Sequence, residues 1–237
     1  MTARRASTAP QAPLRTSANT SSRTSPSTSP STGSDASPEA PAAVHFVVLD
    51  ACVLMPTVLR RLLLRIAANG CFEPTWSPYI GVEWRRNAAR LWDIPLETLE
   101  EEWASMKALF PSADAGDVAP YETGLQYSDP KDFHVIAAGL AKRARCGFQL
   151  TPRVTIMTWN LKDFNRSELK RLGVGVASPD ALLAEWLGVY PQAIQRALHH
   201  TLADAELVGR PAASLSAVLH GERLYRFKNL LEHAHGV

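Results

Sequence analysis

The sequence predicts an α/β fold: a three-layer α/β/α sandwich with a mostly parallel central sheet and a C-terminal helical extension. Three observations lead there. Short, continuously apolar runs rich in β-branched residues stand at residues 45–49, 154–158 and 174–177, as in strands buried on both faces. Helical patterns lie between them, which requires crossover connections and so a parallel sheet. Beyond residue 190 the apolar positions, among them Leu215, Val218, Leu219, Leu224, Phe227, Leu230 and Leu231, fall near helical spacing.

The first 43 of the 237 residues do not belong to this fold. Ser, Thr, Ala and Pro make up 32 of them, and Leu14 is the only large aliphatic residue besides the initiator Met1. Such a segment buries too little apolar surface to offset its ordering entropy, so residues 1–43 are expected to be a disordered tail. Its arginines without acids before Asp35 also suit an organelle transit peptide, but six prolines oppose the amphipathic helix those peptides form. Residues 44–188 are then the folded domain and 189–237 the helical extension.

Within the domain, His45-Phe46-Val47-Val48-Leu49 is the first strand, ending at Asp50. Pro56 opens a helix carrying Val58, Leu59, Leu62, Leu63 and Ile66, which stops at Asn69-Gly70. Ser77-Pro78 is an N-cap and first-turn pair for a helix over 79–91, and a third helix runs over 96–109 to Pro111. Residues 112–128 are loop-like, with Val118 marking a short strand. Ser128-Asp129-Pro130 starts a helix with a small-residue face, including Ala138 and Gly139, suited to close packing on a sheet. A short helix over 166–172 follows the 154–158 strand, and Ser178-Pro179-Asp180 caps a helix reaching Leu187. Helices over 191–206 and 214–233, divided at Gly209-Arg210-Pro211, complete the chain.

Charge and cysteine content narrow the function. The net charge of +2 belongs wholly to the tail, whose four arginines face two acids; the remaining residues balance to zero. Bulk electrostatic attraction to nucleic acid is therefore not expected of the folded part, and any such binding needs a local site. Three cysteines, Cys52, Cys71 and Cys146, lack metal-ligand spacing and read as buried apolar residues of a reducing compartment. No apolar run is long enough to span a bilayer, so a soluble, cytoplasmic protein that does not contact membranes is expected.

In open parallel sheets, functional groups gather at the carboxyl ends of strands. Asp50 follows the first strand, and Asp163 follows the 154–158 strand, with Thr158 and Asn160 beside it. Glu83, in the Ser77-Pro78 helix, and Asp132, in the first turn of the Pro130 helix, can join them. Singly, each has a plain structural use: Asp50 as a cap, Glu83 as a solvated charge, Asp132 as a helix N-terminal acid, Asn160 and Asp163 as turn formers. Four carboxylates aimed at one strand end repel one another unless a cation lies between them. Mg²⁺ or Mn²⁺, hard ions that accept oxygen ligands, supply that charge and support phosphodiester hydrolysis. No GxxxxGK[ST], GxSxG or Gly-rich dinucleotide loop competes with this reading, and Cys52 stands where a haloacid-type phosphotransferase needs a second acid.

Four segments carry a family resemblance: Val47-Val48-Leu49-Asp50-Ala51-Cys52-Val53-Leu54, Trp76-Ser77-Pro78-Tyr79-Ile80-Gly81-Val82-Glu83-Trp84-Arg85-Arg86-Asn87, Asp129-Pro130-Lys131-Asp132-Phe133-His134-Val135-Ile136-Ala137-Ala138 and Thr158-Trp159-Asn160-Leu161-Lys162-Asp163-Phe164. In this order they resemble the PIN-domain family, over about residues 46–187. The resemblance implies a metal-dependent ribonuclease, the toxin of a toxin–antitoxin pair, with Asp50, Glu83, Asp132 and Asp163 as its catalytic quartet. Asp50, Asp132 and Asp163 would ligate Mg²⁺ or Mn²⁺, while Thr158 and Asn160 shape the last loop. Many members carry Asp where this chain has Asn160, and Arg-Asp where it has Arg60-Arg61. RNA, a cognate antitoxin and a second copy in a homodimer are the partners implied. Arg85, Arg86, Arg60 and Lys162 lie near the site in sequence and could hold phosphates. The alternatives are a catalytically inactive interaction protein of the same fold and a metal-dependent phosphatase acting on small esters.

Overall fold

The computed structural model describes residues 44–146 and 152–234. The expected tail, 1–43, lies outside the described residues. Phe46, Val47, Val48 and Leu49 are buried, which makes β1 (His45–Leu49) a central strand. It is followed by α1 (Ala51–Leu54), α2 (Thr57–Ala68), β2 (Glu73–Thr75), α3 (Pro78–Trp92) and α4 (Leu96–Leu109). Then come α5 (Phe133–Ala144), β3 (Arg153–Met157), α6 (Arg166–Arg171), β4 (Val174–Ala177) and α7 (Pro179–Val189). The C-terminal part holds α8 (Pro191–Leu198), α9 (Thr201–Leu207), α10 (Leu215–Gly221) and α11 (Tyr225–Ala234).

The four strands are all parallel, in the order β2-β1-β3-β4, and helices flank the sheet. The chain therefore has the α/β/α architecture expected of it. Val48 lies opposite Ile156 of β3 and Thr75 of β2, so β1 and β3 deliver their carboxyl ends, Asp50 and Thr158, side by side. The expected small-residue face of α5 packs directly on these two strands. A methyl group added at Gly139 would stand 2.8 Å from Val154 Cγ1 and 3.2 Å from Val48 Cγ2, too close for the helix to stay where it is.

Three expectations are corrected. Val118 does not mark a strand; it is buried at the start of a 3-10 turn, Ala119–Tyr121. The strand β2 was not expected, because a three-residue segment containing Pro74 carries almost no strand signal. Its position at the sheet edge tolerates the missing N–H. The two C-terminal helices are four, broken also at His199-His200 and at Glu222-Arg223-Leu224, where periodicity continues through the turns.

Those helices are fastened to the domain by two carboxylates, Asp204 buried and Asp180 half-buried. The Asp204 carboxylate of α9 takes Arg61 and Arg65 of α2, and Asp180 of α7 accepts the N–H groups of Arg226 (3.0 Å) and Phe227 (2.9 Å) at the start of α11. Arg60, expected near the substrate, is instead a core residue with 1% of its surface exposed. Its guanidinium bonds Leu54 O and Glu102 and lies over Trp84, so it is fully committed and reaches no ligand.

Candidate functional site

Asp50 occupies the N-cap position of α1, yet its side chain makes no cap bond. It is 3% exposed, and its Oδ2 accepts from Thr158 Oγ1 at 2.6 Å and from Cys52 Sγ at 3.1 Å. The Thr158 hydroxyl in turn accepts the Asn160 N–H at 2.9 Å, so the strand end, the hydroxyl and the next loop form one chain of bonds. Cys52 departs from the expected role of an inert buried residue: it is half-buried and bonded to the acid two positions before it. Burial and the neighbouring Asp50 push its thiol up to about 12, so it stays protonated and donates.

Asp132 closes the 3-10 turn Pro130–Asp132 that opens α5, and Asp163 closes the turn Leu161–Asp163 after β3. The two turns are laced together through the backbone: Asp129 N–H donates to Asp163 O (2.8 Å), and Asn165 N–H donates to Ser128 Oγ (3.0 Å). Beneath them sits Glu168, 3% exposed, whose carboxylate accepts Gln126 N–H (2.8 Å), Tyr127 N–H (3.2 Å), Ser128 N–H (2.9 Å) and Ser128 Oγ–H (2.7 Å). Burial opposes the charge on Glu168, but these donors outweigh it and hold the carboxyl below its usual range. Sequence reasoning missed Glu168. The spacing Asn165-x-x-Glu168 is that of a capping box, and Asn165 does cap α6, but the glutamate turns away to gather the neighbouring loop.

Glu83, Asp132 and Asp163 line a common cleft of about 580 Å³, together with Asp129, Asn160 and Arg86. Asp50 is buried and is not among the lining residues, but its charge reaches both Asp132 and His134. Asp132 is pushed up to about 6 by burial first, then by repulsion from Asp50, Asp163 and Asp129. His134 Nε2 stands 3.4 Å from Glu83 Oε2, an ion-pair contact without a formed hydrogen bond. Burial alone would lower the His134 pKa, but Glu83, Asp132 and Asp50 together raise it.

The structure thus brings all four candidate acids, with Thr158 and Asn160, to one end of the sheet. Arg86 reaches the same cleft, whereas Arg85 does not. Arg85 lies over Trp103 and lines a separate hollow of about 330 Å³ on the far side of Val82, because successive helical residues point about 100° apart. A larger hollow among the C-terminal helices, about 610 Å³, is bordered by Leu198, Leu202, Leu219 and Leu231 and contains no acid cluster.

The donor chemistry of the cleft fits a hard divalent ion: the candidate ligands are carboxylates, and the pressure of three acids on Asp132 is what a cation would relieve. Among the described residues no three His, Cys, Asp or Glu side chains are drawn close enough to grip an ion directly. No described helix is long and apolar enough to cross a membrane. Comparison with family models, curated proteins and solved structures finds no match to this chain.

Proposed function

We propose that the chain is a Mg²⁺- or Mn²⁺-dependent endoribonuclease of the PIN-domain type. The observation that carries this reading is the joint lining of one cleft by Glu83, Asp132 and Asp163, with the charge of a buried Asp50 reaching Asp132, four acids from four separate segments. Asp50, Asp132 and Asp163 would hold the ion, with Glu83 completing the set. When bound, the ion neutralises phosphate charge and acidifies a water. Thr158 and Cys52 occupy Oδ2 of Asp50, which leaves Oδ1 for other work. Arg86 and Lys131, both on the cleft wall, contribute the cations that a neutral domain needs for phosphate contact. Glu83, paired with His134, is the acid best able to orient a water or move its proton. The narrower role of a toxin held by an antitoxin, and a homodimer, rest on the sequence resemblance alone.

The test is cleavage of a single-stranded RNA by the purified full chain with millimolar Mn²⁺ or with a chelator. Cleavage only with metal is expected; equal products in both tubes, or none in either, contradict the reading. One competitor is an interaction protein of the same fold, for which RNA left uncut with and without metal is the expected result. Hydrolysis of a small chromogenic phosphate ester, with RNA left intact, would indicate the phosphatase instead.

A further inference from the structure

The C-terminal extension meets the loop after β3 at Trp159, one residue before Asn160, which lines the cleft. Helix α10 ends with Arg223 N–H bonded to His220 O (3.0 Å) and Leu224 N–H bonded to Leu219 O (2.9 Å), and Leu224 is buried. This termination requires a left-handed residue, normally glycine, yet the chain places Arg223 there at φ 63°. The strained backbone is held by the turn and by buried Leu224, and it carries an exposed guanidinium 4.7 Å above the ring of Trp159. Trp159 stands between Thr158, which holds Asp50, and Asn160, which lines the acidic cleft. Among the described residues Arg223 forms no ion pair, unlike Arg60, Arg61, Arg65, Arg153 and Arg210.

We infer that Arg223 is a substrate-positioning residue that grips a phosphate of the RNA strand where it passes Trp159 beside the cleft. The inference rests on the ribonuclease reading and adds to it a cation from outside the nuclease domain. A guanidinium held over an indole keeps its planar set of N–H donors oriented, and its edges remain free for bidentate phosphate contact. Positive charge is scarce in this neutral domain, so each unpaired cation beside the cleft, Arg223 with Arg86 and Lys131, matters more than it would on a basic surface. Glycine would suit the backbone better, and the arginine is therefore best explained by what its side chain does.

The experiment compares the full-length protein with Arg223→Gly and Arg223→Lys, measuring melting midpoint and Mn²⁺-dependent cleavage of single-stranded RNA over a salt series. Arg223→Gly relieves the left-handed strain, so its midpoint should equal or exceed that of the parent. Its KM should rise about fivefold with kcat within about twofold, and the salt slope of log kcat/KM should fall by about one. Arg223→Lys keeps the charge but not the planar donor set, so KM rises less and the slope is retained. An unchanged KM and slope in Arg223→Gly would overturn the inference while leaving the ribonuclease reading intact, as would a fall in its midpoint with unchanged KM, which marks a packing role. Absence of RNA cleavage by the parent overturns both.

Discussion

Asp50→Asn should abolish metal-dependent RNA cleavage, lowering kcat by about 10³-fold or more, since a metal ligand supplies several kcal/mol of transition-state stabilisation. The same substitution should raise the melting midpoint of the metal-free protein. Asparagine retains an oxygen to accept the Thr158 hydroxyl and the Cys52 thiol, so the bonds that fix the strand end survive. What disappears is a buried negative charge pressing on Asp132. An acid kept only for structure would behave in the opposite way: its loss would lower the midpoint and leave any cleavage untouched. The two readouts together separate a functional carboxylate from a structural one, whichever activity is assayed.

The second large effect is expected at Glu168. Replacing it by alanine strands three backbone N–H groups and a hydroxyl in a partly buried loop, a cost of roughly 3 kcal/mol. It also releases the lacing between the Asp132 and Asp163 turns, so cleavage should fall by about 10–100-fold, as for other residues that orient metal ligands. Acid titration provides an independent check. The native carboxyl is held below its ordinary value of 4.5, so the unfolded chain binds its proton first as pH falls. Glu168 therefore contributes fully above about pH 4.5, and its contribution is lost as pH falls through the native value. Urea midpoints of Glu168→Gln measured across this window should show a shallower loss toward acid than the parent. Equal acid limbs would mean that the donors around Glu168 do not hold its charge.

Much of the fold could be read from residues because its strongest signals are local. The run Phe46 to Leu49 has few alternatives to a doubly buried strand, and the Ser77-Pro78 and Ser178-Pro179 pairs mark helix starts that the structure keeps, with each serine accepting a helical N–H. What escaped depends on contacts distant in sequence. Strand β2 exists because β1 offers it an edge, not because Glu73-Pro74-Thr75 prefers extension. Arg60 resembled a surface cation until Trp84 and Glu102, 24 and 42 positions later, enclosed it.

The candidate site divides in the same manner. Its acids stand out in sequence because they follow strands and open helices, positions where a carboxylate is conspicuous. The bonds that arrange them do not. Cys52 reads as a small apolar residue until its thiol is found on Asp50, and nothing local in sequence marks Glu168 as the residue that collects the loop 40 positions upstream. Arg85 and Arg86 are neighbours that the helix sends to different hollows, a distinction visible only once the axis of α3 is fixed by its packing.

Whether the acidic cleft takes up a divalent ion can be measured without any substrate. Free Mn²⁺ is followed by its electron paramagnetic resonance signal while metal is titrated into the purified protein and into Asp50→Asn. Saturable loss of signal at one or two ions per chain is expected for the parent, with loss of at least tenfold in affinity for the variant. A parent that leaves the Mn²⁺ signal unchanged, or a variant that binds as tightly as the parent, would contradict a metal centre built on Asp50, Asp132 and Asp163.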